Sequence, residues 1–195
     1  LAALRDATVP ISVDTRKPEV MRIALDAGAS MINDVAGFAT DEARSAVAGS
    51  DCALCAMHMQ GEPGTMQREP RYDDVVTEVA SFLRDRTDAL IAAGVARERI
   101  LTDPGFGFGK TFDHNLALFR QLDRVVELGF PVLVGLSRKG MIGTITGRPV
   151  GERLIGSVAA ALLAVESGAA VVRVHDVGAT VDALRMGSAA RGIPW

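Results

Sequence analysis

The chain has 195 residues, 48% of them hydrophobic and 23% charged, with a formal net charge of −3 and a pI near 5.6. That is enough apolar material for one sizeable core, and nothing in it suggests a disordered segment. The acidic balance argues against a nucleic-acid surface and no apolar stretch reaches the roughly 18 to 20 uncharged residues of a membrane helix, so the expected partners are small soluble substrates, with no nucleic acid and no membrane.

Six short apolar runs recur, at 9–13, 31–35, 53–59, 100–101, 131–136 and 171–174, and each ends in polar or glycine residues before a helical pattern begins. Helices are predicted over 18–27, 41–48, 73–93, 114–127, 151–167 and 180–186. Pro18 suits a first helical turn, and Gly28, Gly94, Gly129 and Gly168 stand just past predicted helix ends, where a left-handed cap is favoured. Runs rich in Val, Ile and Leu without strict alternation are buried on both faces, which makes the sheet parallel and covered by helices.

Two architectures satisfy this pattern, a doubly wound open sheet and a (β/α)8 barrel. A barrel needs eight units in typically about 250 residues, and six units are visible here. Residues 1–6 read as the tail of a helix belonging to an earlier unit. No linker or low-complexity tract divides the rest, so 1–195 reads as one domain, N-terminally incomplete.

Cys52 and Cys55 form a lone Cys-x-x-Cys. Residues three apart on a strand face opposite sides, so the pair cannot chelate one metal and reads as two small buried hydrophobes in a reduced, cytoplasmic protein.

The richest stretch is Asp103-Pro104-Gly105-Phe106-Gly107-Phe108-Gly109-Lys110, directly after an apolar run. Three alternating glycines let backbone approach a ligand closely. Gly109-Lys110-Thr111 supplies the second half of a phosphate-binding P-loop. The first glycine of that pattern would fall at Pro104, which has no N–H to offer a phosphate, and Asp103 beside it would repel one.

Ligands of α/β folds lie at the C-terminal ends of the strands, where this chain places Asp14, Asn33, Asp34, His58, Asp103, Ser137, Arg138, Lys139, Arg173, His175 and Asp176. Any one of these reads as a helix cap, but a polar group after every strand points to a shared mouth. Residues two apart on extended chain point the same way, so Arg173 pairs with His175 and Ser137 with Lys139, leaving Arg138 on the other side. This basic sector suits a phosphate or carboxylate. Asp14, Asp103 and Asn33 suit a flat heterocycle bearing N–H donors, and Lys139 a ring carbonyl or nitrogen. A metal held by the aspartates and a histidine competes with this reading, although the residues lack the close helical spacing of a zinc site. His58, between two methionines, reads as a core histidine, and His114 as a surface residue opening a helix.

Taken together, Ser12-Val13-Asp14-Thr15, Ile32-Asn33-Asp34, Met57-His58-Met59-Gln60-Gly61 with Thr65-Met66-Gln67, Asp103 to Lys110, Gly135-Leu136-Ser137-Arg138-Lys139 and Arg173-Val174-His175-Asp176 resemble the ordered motif set of the dihydropteroate synthase family. The resemblance implies a (β/α)8 TIM barrel whose first two βα units precede this sequence, and a transferase of folate biosynthesis. It would condense 6-hydroxymethyl-7,8-dihydropterin diphosphate with p-aminobenzoate to give 7,8-dihydropteroate and pyrophosphate. By the same resemblance the pterin would be held by Asp14, Asn33, Asp103 and Lys139 with Val35, Met57, Gly135 and Arg173 around it, and p-aminobenzoate or a sulfonamide by Phe108, Ser137 and Lys139. Arg173 and His175 would take the pyrophosphate. Catalysis would rest on Asp14, Asp103, Lys139, Arg173 and His175, with Mg²⁺ as cofactor, its protein contact expected on the preceding N-terminal loop. The resemblance also implies a homodimer through late helices such as 151–167. The alternatives are a pterin-binding methyltetrahydrofolate methyltransferase and a non-catalytic pterin-binding barrel fragment.

Overall fold

A computed structural model describes residues 2–4 and 6–193. In chain order it places β1 (Ser12–Asp14), α1 (Pro18–Asp26), β2 (Met31–Asp34), α2 (Asp41–Ala48), β3 (Ala53–Met57), α3 (Val75–Ala92), β4 (Ile100–Asp103), α4 (Phe112–Arg120), α5 (Asp123–Val126), β5 (Leu133–Val134), α6 (Gly140–Thr146), α7 (Leu154–Glu166), β6 (Val171–Val172) and α8 (Val177–Ala190). Strands β1 to β4 pair in sequence order and all in parallel, as do β5 and β6. A parallel bridge between Thr102 and Val132, with the Thr102 N–H donating to the Pro131 carbonyl at 3.0 Å, joins the two sets into one arc.

This order never reverses, so there is no switch point of the kind that defines a doubly wound sheet. The arc also curls. Six flat strands would separate β1 from β6 by about 24 Å, given a spacing near 4.8 Å. Yet Arg173, just past β6, reaches Asp14 of β1 at 3.3 Å. The fold is six consecutive units of a (β/α)8 barrel.

Strand alternation sorts the side chains. Val13, Ile32, Leu54 and Ile100 stand in one ladder and pack with Met21, Val47 and Leu90 of the helical layer. The next ladder, Asp14, Asn33, Cys55 and Leu101, therefore faces the barrel interior. A second cluster around Val79, Leu83, Leu118, Leu122, Val132 and Val134 covers the later strands. Cys52 lies in the helix-side cluster and Cys55 on the interior ladder, both free and buried. Burial pushes the Cys55 thiol well up, which keeps it protonated and unreactive.

Several boundaries differ from the sequence reading. The helix expected over 114–127 begins at Phe112, capped by Thr111 and His114, and breaks at Gln121 into α4 and α5. Leu118, Leu122 and Val125 keep helical spacing and full burial across the break, so the sequence carries no mark of it. The helix expected over 180–186 runs from Val177 to Ala190, and that over 151–167 starts at Leu154 after a 3-10 turn. Helix α6 was not expected, because its two glycines and two threonines are weak helix formers. Residues 2–4 form a 3-10 turn rather than a helix tail, and Leu1 and Arg5 lie outside the described residues. Among the described residues no helix is long and apolar enough to cross a membrane.

Leu83 on α3 is fully buried in the later cluster. Leu83→Ala should lower stability by about 2 to 5 kcal/mol in urea unfolding. A loss below about 1 kcal/mol would show that α3 does not complete this core.

Candidate active site

Parallel strands of a barrel deliver their last residues to one rim, and β1 and β4 end there in the carboxyl groups of Asp14 and Asp103. Asp14 Oδ2 accepts from Asn33 Nδ2 at 3.0 Å and from Arg173 Nη1 at 3.3 Å. Asp103 Oδ1 accepts from the Gly105 N–H at 2.7 Å, and its Oδ2 from Arg173 Nη2 at 3.2 Å. Arg173 thus spans the mouth with one guanidinium nitrogen on each acid. The two acids differ in setting, since the Asp103 side chain is 2% exposed and that of Asp14 55%. Burial pushes the Asp103 carboxyl up, opposed by the Gly105 N–H and by Arg173. Asn33 Oδ1 is buried with no hydrogen-bond partner.

Beside this acidic sector lies a cavity of about 340 Å³ lined by Asp14, Phe108, Ser137, Lys139, Arg173 and His175. Gly135 forms part of its wall, and a Cβ there would stand 3.3 Å from Arg173 Nε. His175 Nδ1 lies 3.0 Å from Ser137 Oγ, which also accepts the His175 N–H at 3.3 Å. Lys139 donates to the Phe106 carbonyl and holds its ammonium 4.8 Å from the Phe108 ring centroid. Burial lowers the Lys139 pKa to about 8, with Asp103 opposing and Arg173 adding to the shift.

Ser137 and Lys139 reach the same cavity although the chain does not stay extended. It turns at Arg138, whose φ is 59°, and the Lys139 N–H donates to the Leu136 carbonyl at 3.1 Å. Arg138 faces away, as expected, and grips Asp176 through Nε at 3.1 Å and Nη2 at 2.6 Å.

Other strand-end residues stand apart from the mouth. Asp34 closes a turn, accepting from the N–H groups of Ala36 and Phe38, each at 2.8 Å. His58 is a buried core histidine as expected, and burial lowers its pKa to about 3. His114 is half-buried rather than a free surface residue, with its ring 4.9 Å from that of Tyr72. Val35 and Met57 do not line the cavity; Met57 is fully buried in β3 opposite Asp103. Among the described residues no three histidine, cysteine, aspartate or glutamate side chains converge as a metal site.

Sequence reasoning passed over the residues that hold the 103–110 loop. Asn115 accepts the Gly107 N–H at 2.7 Å, Tyr72 donates to the Gly109 carbonyl at 2.8 Å, and Gln67 to that of Gly107. Lys110, weighed only as a P-loop lysine, is 3% exposed. It donates to the Gly105 and Phe108 carbonyls at 3.0 and 3.1 Å.

Residues 1–175 match the family described as pterin binding enzyme. The chain is 46% identical over 176 residues to a dihydropteroate synthase of Haemophilus influenzae, covering 90% of this chain and 64% of that relative. It therefore spans just under two thirds of that relative's length. A solved dihydropteroate synthase of Burkholderia cenocepacia, complexed with 7,8-dihydropteroate, superposes with a TM-score of 0.90 at 54% identity, covering 97% of this chain and 71% of that one. One from Xanthomonas albilineans with 4-aminobenzoic acid gives 0.91 at 50% identity, covering 99% and 69%.

The chain has three lysines, Lys17, Lys110 and Lys139. Titration of 13Cε-lysine-labelled protein by NMR should show two of the three losing their charge early, Lys110 at about 7 and Lys139 at about 8. Both staying charged to about pH 10 would show that the mouth is not desolvated.

Proposed function

The chain belongs to the pterin-binding enzyme family, and on that premise we propose that it carries the substrate site of a dihydropteroate synthase. The reaction joins a dihydropterin diphosphate to p-aminobenzoate with loss of pyrophosphate. The observation that carries the reading is Arg173 bridging Asp14 and Asp103. Its guanidinium offers the two acids the same planar set of N–H donors that the pyrimidinone edge of a pterin offers. A diphosphate would compete for Arg173 and free those acceptors for the ring. The unpartnered Asn33 Oδ1 is a further acceptor at the same place.

In this reading Asp14, Asn33 and Asp103 bind the pterin edge, Lys139 contacts the ring, and Gly135 admits Arg173 over the pterin face. Phe108, Ser137 and Lys139 receive p-aminobenzoate, the place a sulfonamide would also take. Arg173 and His175 hold the pyrophosphate.

The C–O bond to pyrophosphate breaks first and its electron pair leaves with the phosphate oxygen. The resulting cationic pterin methylene is stabilised by Asp14 and Asp103, while Arg173 and His175 stabilise the leaving group. The neutral aromatic amine then attacks the methylene carbon, a C–N bond forms, and the surplus proton passes to pyrophosphate or water. No general base is needed, because the amine carries no charge at neutral pH. Mg²⁺ would shield the diphosphate charge, but the described residues form no cage for it and no step here runs through it.

The pyrophosphate and p-aminobenzoate subsites at Ser137, Lys139 and His175 speak against the methyltransferase alternative, which transfers a methyl group and needs neither. The reading includes a homodimer through late helices such as α7, which with α8 exposes Ile155, Leu163 and Met186, and a reducing, cytoplasmic setting consistent with two free cysteines.

Two substitutions separate the sectors. Asp103→Asn should weaken the pterin about tenfold or more whether or not it carries its diphosphate, and Arg173→Ala should mainly remove the preference for the diphosphate form. Calorimetry with both ligands measures this, and equal losses for both ligands in both variants would contradict the division of roles.

A further inference from the structure

We propose that Lys110 is a positioning residue, whose buried ammonium holds the 104–110 loop in the shape that presents the Phe108 ring to the second substrate. The ligand named rests on the reading above; the hold on the loop does not.

Every carbonyl from Gly105 to Gly109 in this loop is taken by a side-chain donor. Lys110 Nζ serves Gly105 and Phe108, Lys139 serves Phe106, Gln67 serves Gly107 and Tyr72 serves Gly109. The four donors come from four different places in the chain, and Lys110 alone answers for two of the five carbonyls. Below its pKa of about 7 Lys110 gives its third proton to His58 Nδ1 at 2.9 Å; an ammonium only donates, so the neutral imidazole takes the tautomer with Nδ1 as acceptor. An ammonium has three N–H bonds, and all three are used here.

The loop's own backbone supplies one bond across this turn, from the Phe108 N–H to the Gly105 carbonyl at 3.1 Å, and the carbonyls from Phe106 to Gly109 rely on side chains. Gly105 and Gly109 sit at φ of 68° and 60°. A Cβ on Gly105 would run into the His58 carbonyl oxygen and one on Gly109 into that of Gln60. Such left-handed backbone forms no repeating ladder, so its carbonyls need outside donors. A buried ammonium is costly unless fully hydrogen-bonded, which an apolar residue filling the same space would avoid. What the lysine adds is a tie between the two ends of the Gly105 to Phe108 turn and β3. Phe108 lines the mouth cavity, whereas Lys110 does not, so beyond the distant charge it offers Asp103, Lys110 reaches that cavity through the loop.

The test uses the full-length protein, hydrogen exchange of the 105–109 amides, calorimetric titration with pterin diphosphate alone, and titration with p-aminobenzoate after saturation with pyrophosphate, so that no turnover accompanies binding. Lys110→Met should speed exchange of these amides about tenfold and weaken p-aminobenzoate about tenfold, leaving pterin diphosphate within about threefold. His58→Phe, which removes one acceptor and keeps both loop bonds, should shift both readouts the same way by about threefold, and decides the matter if Lys110→Met does not fold. Unchanged exchange and affinity in the variants would overturn the proposal. Equal loss of both ligands in Lys110→Met would also overturn it, since that is the mark of a general structural role. If the unaltered protein binds no p-aminobenzoate, the functional reading fails, and loop exchange alone decides whether Lys110 holds the loop.

Discussion

A carboxyl group almost without solvent, Asp103, sits at the end of β4, and the mouth of the barrel sets compensating donors and cations around it. Burial favours its protonated form, while the Gly105 N–H, Arg173, Lys139 and Lys110 all favour the anion. These four contributors come from three parts of the rim. Arg173 follows β6, Lys139 precedes α6, and Gly105 and Lys110 belong to the loop that Asp103 begins. The ion pairs from Arg173 to Asp103 and Asp14 also span the arc from its last strand to its first. Charge compensation at the mouth is therefore also a contact between the two ends of the arc.

The same compensation shapes the chemistry. The proposed reaction would generate a cation next to two carboxylates and an anion next to an arginine and a histidine, and it needs those groups held in place beforehand. Fixed groups cost no reorganisation when charge develops, and here they are fixed by backbone N–H groups, by paired side chains and by the clamped 104–110 loop. Desolvation that raises Asp103 also lowers Lys139 and Lys110, so the acids and amines at the mouth are brought closer in proton affinity than they are in water.

Much of this was legible in the residues. Strand and helix alternate where hydrophobic runs and glycine caps said they would, and the two-residue spacing of Arg173 with His175 located the basic sector. Asp34 was not separable from Asp14 by sequence, because an aspartate after a strand serves equally as ligand or turn cap, and only hydrogen bonds to Ala36 and Phe38 decide it. Ser137 and Lys139 share a cavity through a turn rather than by the extended spacing that suggested it. The break at Gln121 and the existence of α6 escaped for opposite reasons. One interrupts an unbroken apolar period, and the other forms from residues with little helical preference, held by packing of Met141 and Ile142. Lys110 was visible, but its partners are carbonyls and a histidine 52 positions away, which no local pattern reveals.

The most direct measurement is pyrophosphate release by the full-length protein supplied with dihydropterin diphosphate and Mg²⁺, with and without p-aminobenzoate. Release that depends on p-aminobenzoate and matches 7,8-dihydropteroate formed, mole for mole, is the result expected of a site that pairs these acidic and basic sectors. Pterin bound with no release, or release indifferent to p-aminobenzoate, would contradict it.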